Sequence, residues 1–241
     1  MGTVSKLLVA IPAYNEQSTV TEVVAAVRQV CPTAHVVVVD DGSSDKTGTC
    51  ARAAGATVLT LPFNVGVGGA MRTAFLYAHK NNYPIVVQVD ADGQHNPESI
   101  PQLVTAVSEG ADVVLGSRFG PNGGYTVAGP RKWAMIMLST VLSKITRTSI
   151  TDTTSGFRAS GPDAIHLFSI HYPSEYLGDT VESLLLAHRA GLTIEEVYTP
   201  MGPRLGGEPS QNPLKASLYL GRALLALFSA KFGSGTFRDL S

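Results

Sequence analysis

Five apolar runs punctuate the first half of the chain: KLLVAI (6–11), HVVVVD (35–40), ATVLTL (56–61), PIVVQVD (84–90) and ADVVLGS (111–117). Most are nearly continuous rather than alternating, which is the pattern of strands covered on both faces. Between them the apolar spacing becomes helical. Val20, Val23, Val24 and Val27 recur within 18–30, and 45–54, 67–80 and 97–108 behave alike. Ser43 or Ser44 is placed to cap the second helix, and Pro97 suits the first turn of the fourth. Strand and helix in alternation predict an α/β layered fold, with a mostly parallel central sheet flanked by helices.

Beyond residue 118 the pattern loosens. FGPNGGYTVAGP (119–130) reads as a glycine- and proline-rich loop, 131–147 as a helix, and TPMGPRLGGEPSQNP (199–213) as a second open loop long enough to carry function. LKASLYLGRALLALFSAKF (214–232) reads as an apolar helix interrupted by Arg222. Its uncharged run, 223–230, is far short of the ~20 residues a bilayer span needs. The expected organisation is an α/β domain over 1–213 and a C-terminal apolar helix and tail over 214–241. Leu214, Leu218, Leu225, Phe228 and Phe232 share one face of that helix, and Lys215 and Arg222 lie on another. A membrane surface, a small membrane partner, the domain's own core or a second copy in a homodimer must cover so wide an apolar face.

Composition narrows the classes. With 44% hydrophobic and 15% charged residues over 241 positions, the chain can bury a sizeable core. A net charge of −1 argues against a nucleic-acid binder that relies on bulk positive charge. Cys31 and Cys50 form no CxxC, and the six histidines no HxxxH, so neither a disulfide framework nor a zinc site is expected. The opening MGTVSKLLVAIPAYNE brings Glu16 soon after a short apolar run, as a first strand would and a signal peptide would not. A cytoplasmic location is the default expectation.

Chemistry collects at three strand exits: IPAYNE after the first, VVDDGSSDKT after the second and VDADGQH after the fourth. In open α/β sheets ligands bind outside the carboxyl ends of strands. Asp90 and Asp92 raise each other's cost of ionising, which a protein tolerates when a cation lies between them or when both reach water. NVGVGGAMRTA (64–74) offers glycines that could cradle phosphate at a helix N-terminus. A dinucleotide fingerprint belongs after the first strand, however, where this chain has PAYNE, so a dehydrogenase is disfavoured.

The order IPAYNE, VVDDGSSDKT, NVGVGGA, VDADGQH, GSRF, DTTSGFR resembles the family-2 glycosyltransferases of GT-A fold, and within them the polyprenyl-phosphate sugar synthases. The resemblance is strong over about 6–160 and looser to about 213. It implies a nucleotide-sugar donor, a polyprenyl phosphate acceptor and Mg2+ or Mn2+. Pro12, Tyr14 and Glu16, with Val39 and Asp41, then form the base and ribose pocket. Asp90 and Asp92 are the metal-binding DxD pair, Ala91 lies beside the nucleotide, and Gln94 is a further ligand. Arg118 binds the donor diphosphate, while Arg131 and Arg204 fall where relatives hold phosphate. Relatives also carry a lysine shortly after that last arginine; the matching position here is Ser210, and Lys215 is the next lysine.

The acceptor decides what else is needed. A sugar hydroxyl requires a general base, for which Asp152, Asp179 and Glu182 are the candidates. A phosphate monoester, with second pKa ≈ 6, is already nucleophilic at pH 7 and needs arginines instead. Arg131, Arg158 and Arg204 could supply them, although Arg158 could equally be structural, paired with Asp152. The expected activity is inverting, metal-dependent sugar transfer to a polyprenyl phosphate by an enzyme peripheral to the cytoplasmic membrane face. The alternatives are a family-2 transferase acting on a glycan hydroxyl, and a nucleotide-sugar-binding scaffold without turnover.

Overall fold

The computed structural model describes residues 6–119, 130–173, 178–202, 204 and 206, with the main chain alone at 130–134 and 178–179. The chain alternates β1 (Leu7–Ala13), α1 (Val20–Val30), β2 (His35–Asp40), α2 (Thr47–Ala53), β3 (Thr57–Thr60), α3 (Gly66–Lys80) and β4 (Ile85–Gln88). After a 3-10 turn at Pro97–Ser99 come α4 (Ile100–Ser108), β5 (Val113–Ser117), α5 (Pro130–Thr146), β6 (Arg158–Ser160), α6 (Pro162–His171), α7 (Gly178–Arg189) and β7 (Ile194–Tyr198). All five strands and five helices expected before residue 147 are present. The expected C-terminal helix, 214–232, lies outside the described residues.

Among the described residues, seven strands form one sheet in the order β3-β2-β1-β4-β6-β5-β7. Every pairing is parallel except those of β6, which runs antiparallel to both β4 and β5. Side chains alternate across it. Leu8, Ala10, Val37 and Val39 pack with α3, α5, α6 and α7, whereas Val9, Ile11, Val36 and Val38 pack with α1, α2 and α4. Burial on both sides is why the strands read as unbroken apolar runs. Val20, Val23, Val24 and Val27 are the buried face of α1, as their spacing predicts.

The ends of two helices differ in detail. Pro97 opens its turn, with the Asn96 side chain accepting the Glu98 N–H at 3.1 Å. Neither Ser43 nor Ser44 caps α2. Asp45 does that work by accepting the Thr47 N–H at 2.9 Å. Ser43 and Ser44 instead give their own N–H groups to Asp40 and Asn15.

The topology positions a site. From β1 the chain moves to β2 and β3 on one side, then crosses to β4 on the other. The crevice at such a reversal, beyond the carboxyl ends of β1 and β4, is where open α/β sheets take ligands.

Candidate active site

The exits of β1 and β2 are laced together by side chains. Asn15, in the left-handed region at φ 56°, accepts the Ser44 N–H, while its own N–H donates to Ser43. The Glu16 N–H donates to Thr47 Oγ1 at 2.8 Å, and the Gln17 N–H to Asp45 Oδ2 at 3.1 Å. Pro12 and Val39 are partners in the β1–β2 register, and Tyr14 projects with 48% exposure at the rim. The residues expected to form a base and ribose pocket are therefore brought together.

Asp41 is the exception in kind. Its buried carboxylate accepts the Val65 N–H on one oxygen (2.8 Å) and the Gly66 N–H on the other (2.9 Å). Gly42, at φ +70°, makes this approach possible, since a Cβ there would stand 2.6 Å from the Phe63 carbonyl carbon. Burial pushes Asp41 above the ordinary carboxylate value, against the pull of the two N–H groups. The N-terminus of α3, which its glycines made a candidate phosphate cradle, is thus filled by the protein's own carboxylate.

Beyond β4 the two aspartates have unequal surroundings. The Asp90 side chain is 39% exposed, with Oδ1 accepting from Gln88 Nε2 at 3.3 Å. Gly156 leaves it room: a Cβ there would meet Asp90 Oδ2 at 3.0 Å. Asp92 is buried to 11% side-chain exposure, and its Oδ2 receives Arg204 at 2.9 Å while Oδ1 accepts the Gln94 N–H at 3.0 Å. Ala91 between them is buried. Burial chiefly pushes Glu16 above its ordinary value; the Thr19 hydroxyl opposes this, the charge of Asp92 adds to it and Arg204 opposes it. Glu16, Asp92 and Arg204 therefore share one electrostatic field at the crevice. Asp90 reaches water, whereas Asp92 is enclosed and paired with the Arg204 guanidinium.

Arg118, at the end of β5, turns onto Asp152. Nε meets Oδ2 at 2.6 Å, Nη2 meets Oδ1 at 2.7 Å, and Nη2 also reaches Thr154 Oγ1 at 2.7 Å. Burial of Asp152 works to raise its pKa, but the Arg118 guanidinium and the other donors outweigh it and hold the carboxyl below its usual range. Glu196 of β7 supports the turn by accepting the N–H groups of Thr151 and Asp152 at 2.7 and 3.0 Å. The Arg158–Asp152 pair, one of the two readings of Arg158, is therefore not formed. Arg158, buried on β6, donates instead to the Ser155 carbonyl and Ser183 Oγ, both at 2.8 Å. The main chain of Arg131 lies in the first turn of α5, and that of Asp179 in the first turn of α7. Their side chains are outside the described residues, as are Ser210 and Lys215.

These donors suit a hard divalent cation. Asp90 and Asp92 offer only oxygen, as Mg2+ and Mn2+ prefer, and the guanidinium at Asp92 shows that the carboxylate already draws positive charge. Among the described residues no three His, Cys, Asp or Glu side chains gather into a metal site. Two carboxylates would hold the ion, and phosphate oxygens and water would complete its shell. When bound, such an ion would supply neutralisation of anionic oxygens beside it.

The family model described as Glycosyl transferase family 2 matches residues 8–166. The chain belongs to this family. This family-2 glycosyltransferase is 34% identical over 214 residues to the undecaprenyl-phosphate mannosyltransferase of Micrococcus luteus, covering 84% of this chain and 86% of that one. It is 38% identical over 168 residues to the polyprenol monophosphomannose synthase of Mycolicibacterium smegmatis, a match spanning 64% of this chain and 61% of the relative. The dolichyl-phosphate hexose transferase of Haloferax volcanii is 29% identical over 223 residues, 92% of this chain and 94% of its own. Glucosyl-3-phosphoglycerate synthase from Mycobacterium tuberculosis, in complex with Mn2+, UDP and glucosyl-3-phosphoglycerate, shares the fold. Its TM-score is 0.69 at 21% identity, covering 94% of this chain and 80% of that one. The central sheet flanked by helices is accordingly GT-A-like.

Several residues close to these strand exits escaped sequence reasoning. Phe63, 66% exposed, stands beside Gly42 at the rim, hidden in the sequence as an ordinary loop aromatic. His95 was visible only as the last letter of VDADGQH, with nothing to say that its ring folds back onto Asp90. Glu196 lies on a strand whose pairing with β5 no local pattern discloses.

Proposed function

We propose that this enzyme transfers a sugar, with inversion, from a nucleotide-sugar donor to a polyprenyl phosphate, with Mg2+ or Mn2+ on Asp90 and Asp92. Pro12, Tyr14, Glu16, Val39 and Asp41 line the nucleotide pocket in this reading. Arg118, Arg131 and Arg204 manage phosphate charge, and Gln94 is a further metal ligand. The names of the relatives support the acceptor class, and the UDP and Mn2+ or Mg2+ complexes of the structural neighbours support the donor and metal.

One observation favours a phosphate acceptor over a hydroxyl. Asp152, a candidate base for hydroxyl transfer, is fully buried and gripped by Arg118 on both oxygens. A base must reach the proton it takes, with a pKa near the working pH. Asp152 meets neither condition, and a dianionic phosphate requires no base. Glu182, half-buried in α7, is the described candidate that a hydroxyl acceptor would still have.

A lipid acceptor requires a membrane-facing surface, and α5 supports one. Residues 130–151 contain no acid, but include Arg131, Lys132, Lys144 and Arg147. Ile136 and Met137 are 46% and 48% exposed, and Lys144 and Arg147 are exposed too. No helix among the described residues is long and apolar enough to cross a membrane. Peripheral attachment at the cytoplasmic face, through this surface and the 214–232 segment, follows from the reading.

The test is transfer of radiolabelled sugar from GDP- and UDP-linked donors, with Mn2+, to polyprenyl phosphate and to sugar acceptors in parallel. Labelled lipid phosphate with inverted anomeric configuration by NMR is the expected product. Transfer to sugar hydroxyls alone would overturn the proposal.

A further inference from the structure

His95 is buried, with its ring lying flat on Phe157 at a centroid distance of 4.8 Å and an interplanar angle of 15°. Its Nδ1 accepts the main-chain N–H of Asp90 at 3.0 Å. A ring nitrogen that accepts carries no proton, so the ring's N–H is at Nε2. That atom stands 3.6 Å from Asp90 Oδ2, a separation at which the contact is electrostatic rather than a hydrogen bond. One side chain therefore touches both the backbone and the carboxylate of the same aspartate.

The same residue joins a second segment. The His95 main chain forms an antiparallel bridge with Met201, and the Gly202 N–H donates to the Gln94 carbonyl at 2.9 Å. Two residues later Arg204 reaches Asp92. The turn that carries both aspartates and the segment that carries the arginine are thus stitched together at His95.

We propose that His95 is a positioning residue. Through Nδ1 it fixes the turn from Asp90 to His95, and through the Nε2–H dipole it holds the Asp90 carboxylate in the orientation that receives the divalent ion. It rests on the reading of Asp90 as a metal ligand. Gln88 constrains Oδ1, His95 faces Oδ2, and Gly156 contributes no side chain that would displace either oxygen. Partners that orient a metal's ligands typically account for ~10–100-fold in metal affinity.

The test measures Mn2+ affinity by electron paramagnetic resonance with UDP present, alongside melting of the metal-free full chain. His95→Phe keeps a ring on Phe157 but removes both polar contacts; His95→Asn keeps a polar group near the position of Nδ1 and loses Nε2. Asp90→Asn serves as the reference for the metal reading itself. Expected are a ~10–100-fold loss of Mn2+ affinity in both His95 variants, a melting temperature closer to wild type in His95→Asn than in His95→Phe, and turnover largely recovered at saturating Mn2+. Mn2+ affinity within twofold of wild type in a folded His95→Asn, with Asp90→Asn impaired, would overturn the role of His95 alone. Unimpaired binding in Asp90→Asn would overturn the metal reading and this inference with it.

Discussion

The guanidinium of Arg204 lies 2.9 Å from Oδ2 of Asp92, a carboxylate with 11% of its side chain exposed. Loss of Arg204 would leave the Asp92 charge in a place of low solvation, whereas Arg204 itself is 30% exposed. In the proposed reading the two residues exchange partners when metal and donor bind.

Asp92→Ala is expected to abolish metal-dependent donor binding and reduce turnover by about 10²–10³-fold or more while the fold persists. Calorimetric titration of the nucleotide sugar with and without Mn2+, beside circular dichroism, checks this. Near-normal turnover would remove Asp92 from the metal site.

Arg204→Ala should weaken donor or acceptor handling more than Arg204→Lys, since lysine retains a point charge but not the planar fork. Steady-state kinetics with both substrates varied would show it. Identical, wild-type behaviour in the two variants would reduce Arg204 to a partner of Asp92 with no part in turnover.

Asp152→Asn should destabilise the protein at pH 7 by about 3–5 kcal/mol, because it removes the buried carboxylate charge that a partly buried arginine grips with two hydrogen bonds. The sign with pH follows from a folded-state pKa held below the ordinary value. The stabilisation is fully present above the unfolded value of about 3.9 and is lost as pH falls from there through the folded value. Urea melts of wild type and variant across pH 2.5–7 (approximately) should therefore converge at the acid end. A constant gap would mean that Asp152 does not titrate with unfolding.

The full chain is expected to float with vesicles containing phosphatidylglycerol and not with neutral ones. Ile136→Asp with Met137→Asp should reduce flotation several-fold, as should ending the chain at Pro213, by subtracting apolar area from the interface. If the full chain stays in solution with both vesicle types, membrane attachment through either element is wrong.

Much of the α/β frame was legible because it depends on near-neighbour rules. HVVVVD must be a strand covered on both faces, and valines at 20, 23, 24 and 27 must line one side of a helix, whatever else the chain does. The three polar strand exits pointed to the crevice for the same reason: parallel strands put all their carboxyl ends on one side. What stayed hidden depended on which segments meet. Three residues, 158–160, form a strand only because β4 and β5 flank them, and this antiparallel insertion is what brings Gly156 against Asp90. Asp152 could have served Arg158, six residues away, yet it serves Arg118, 34 residues away. Asp41 gives its oxygens to the start of α3 and not to open solvent, and Arg204 reaches back to Asp92. Periodicity is set by bonds within a few residues. A buried charge finds its partner only after the chain has closed around it, so those pairings belong to the tertiary structure.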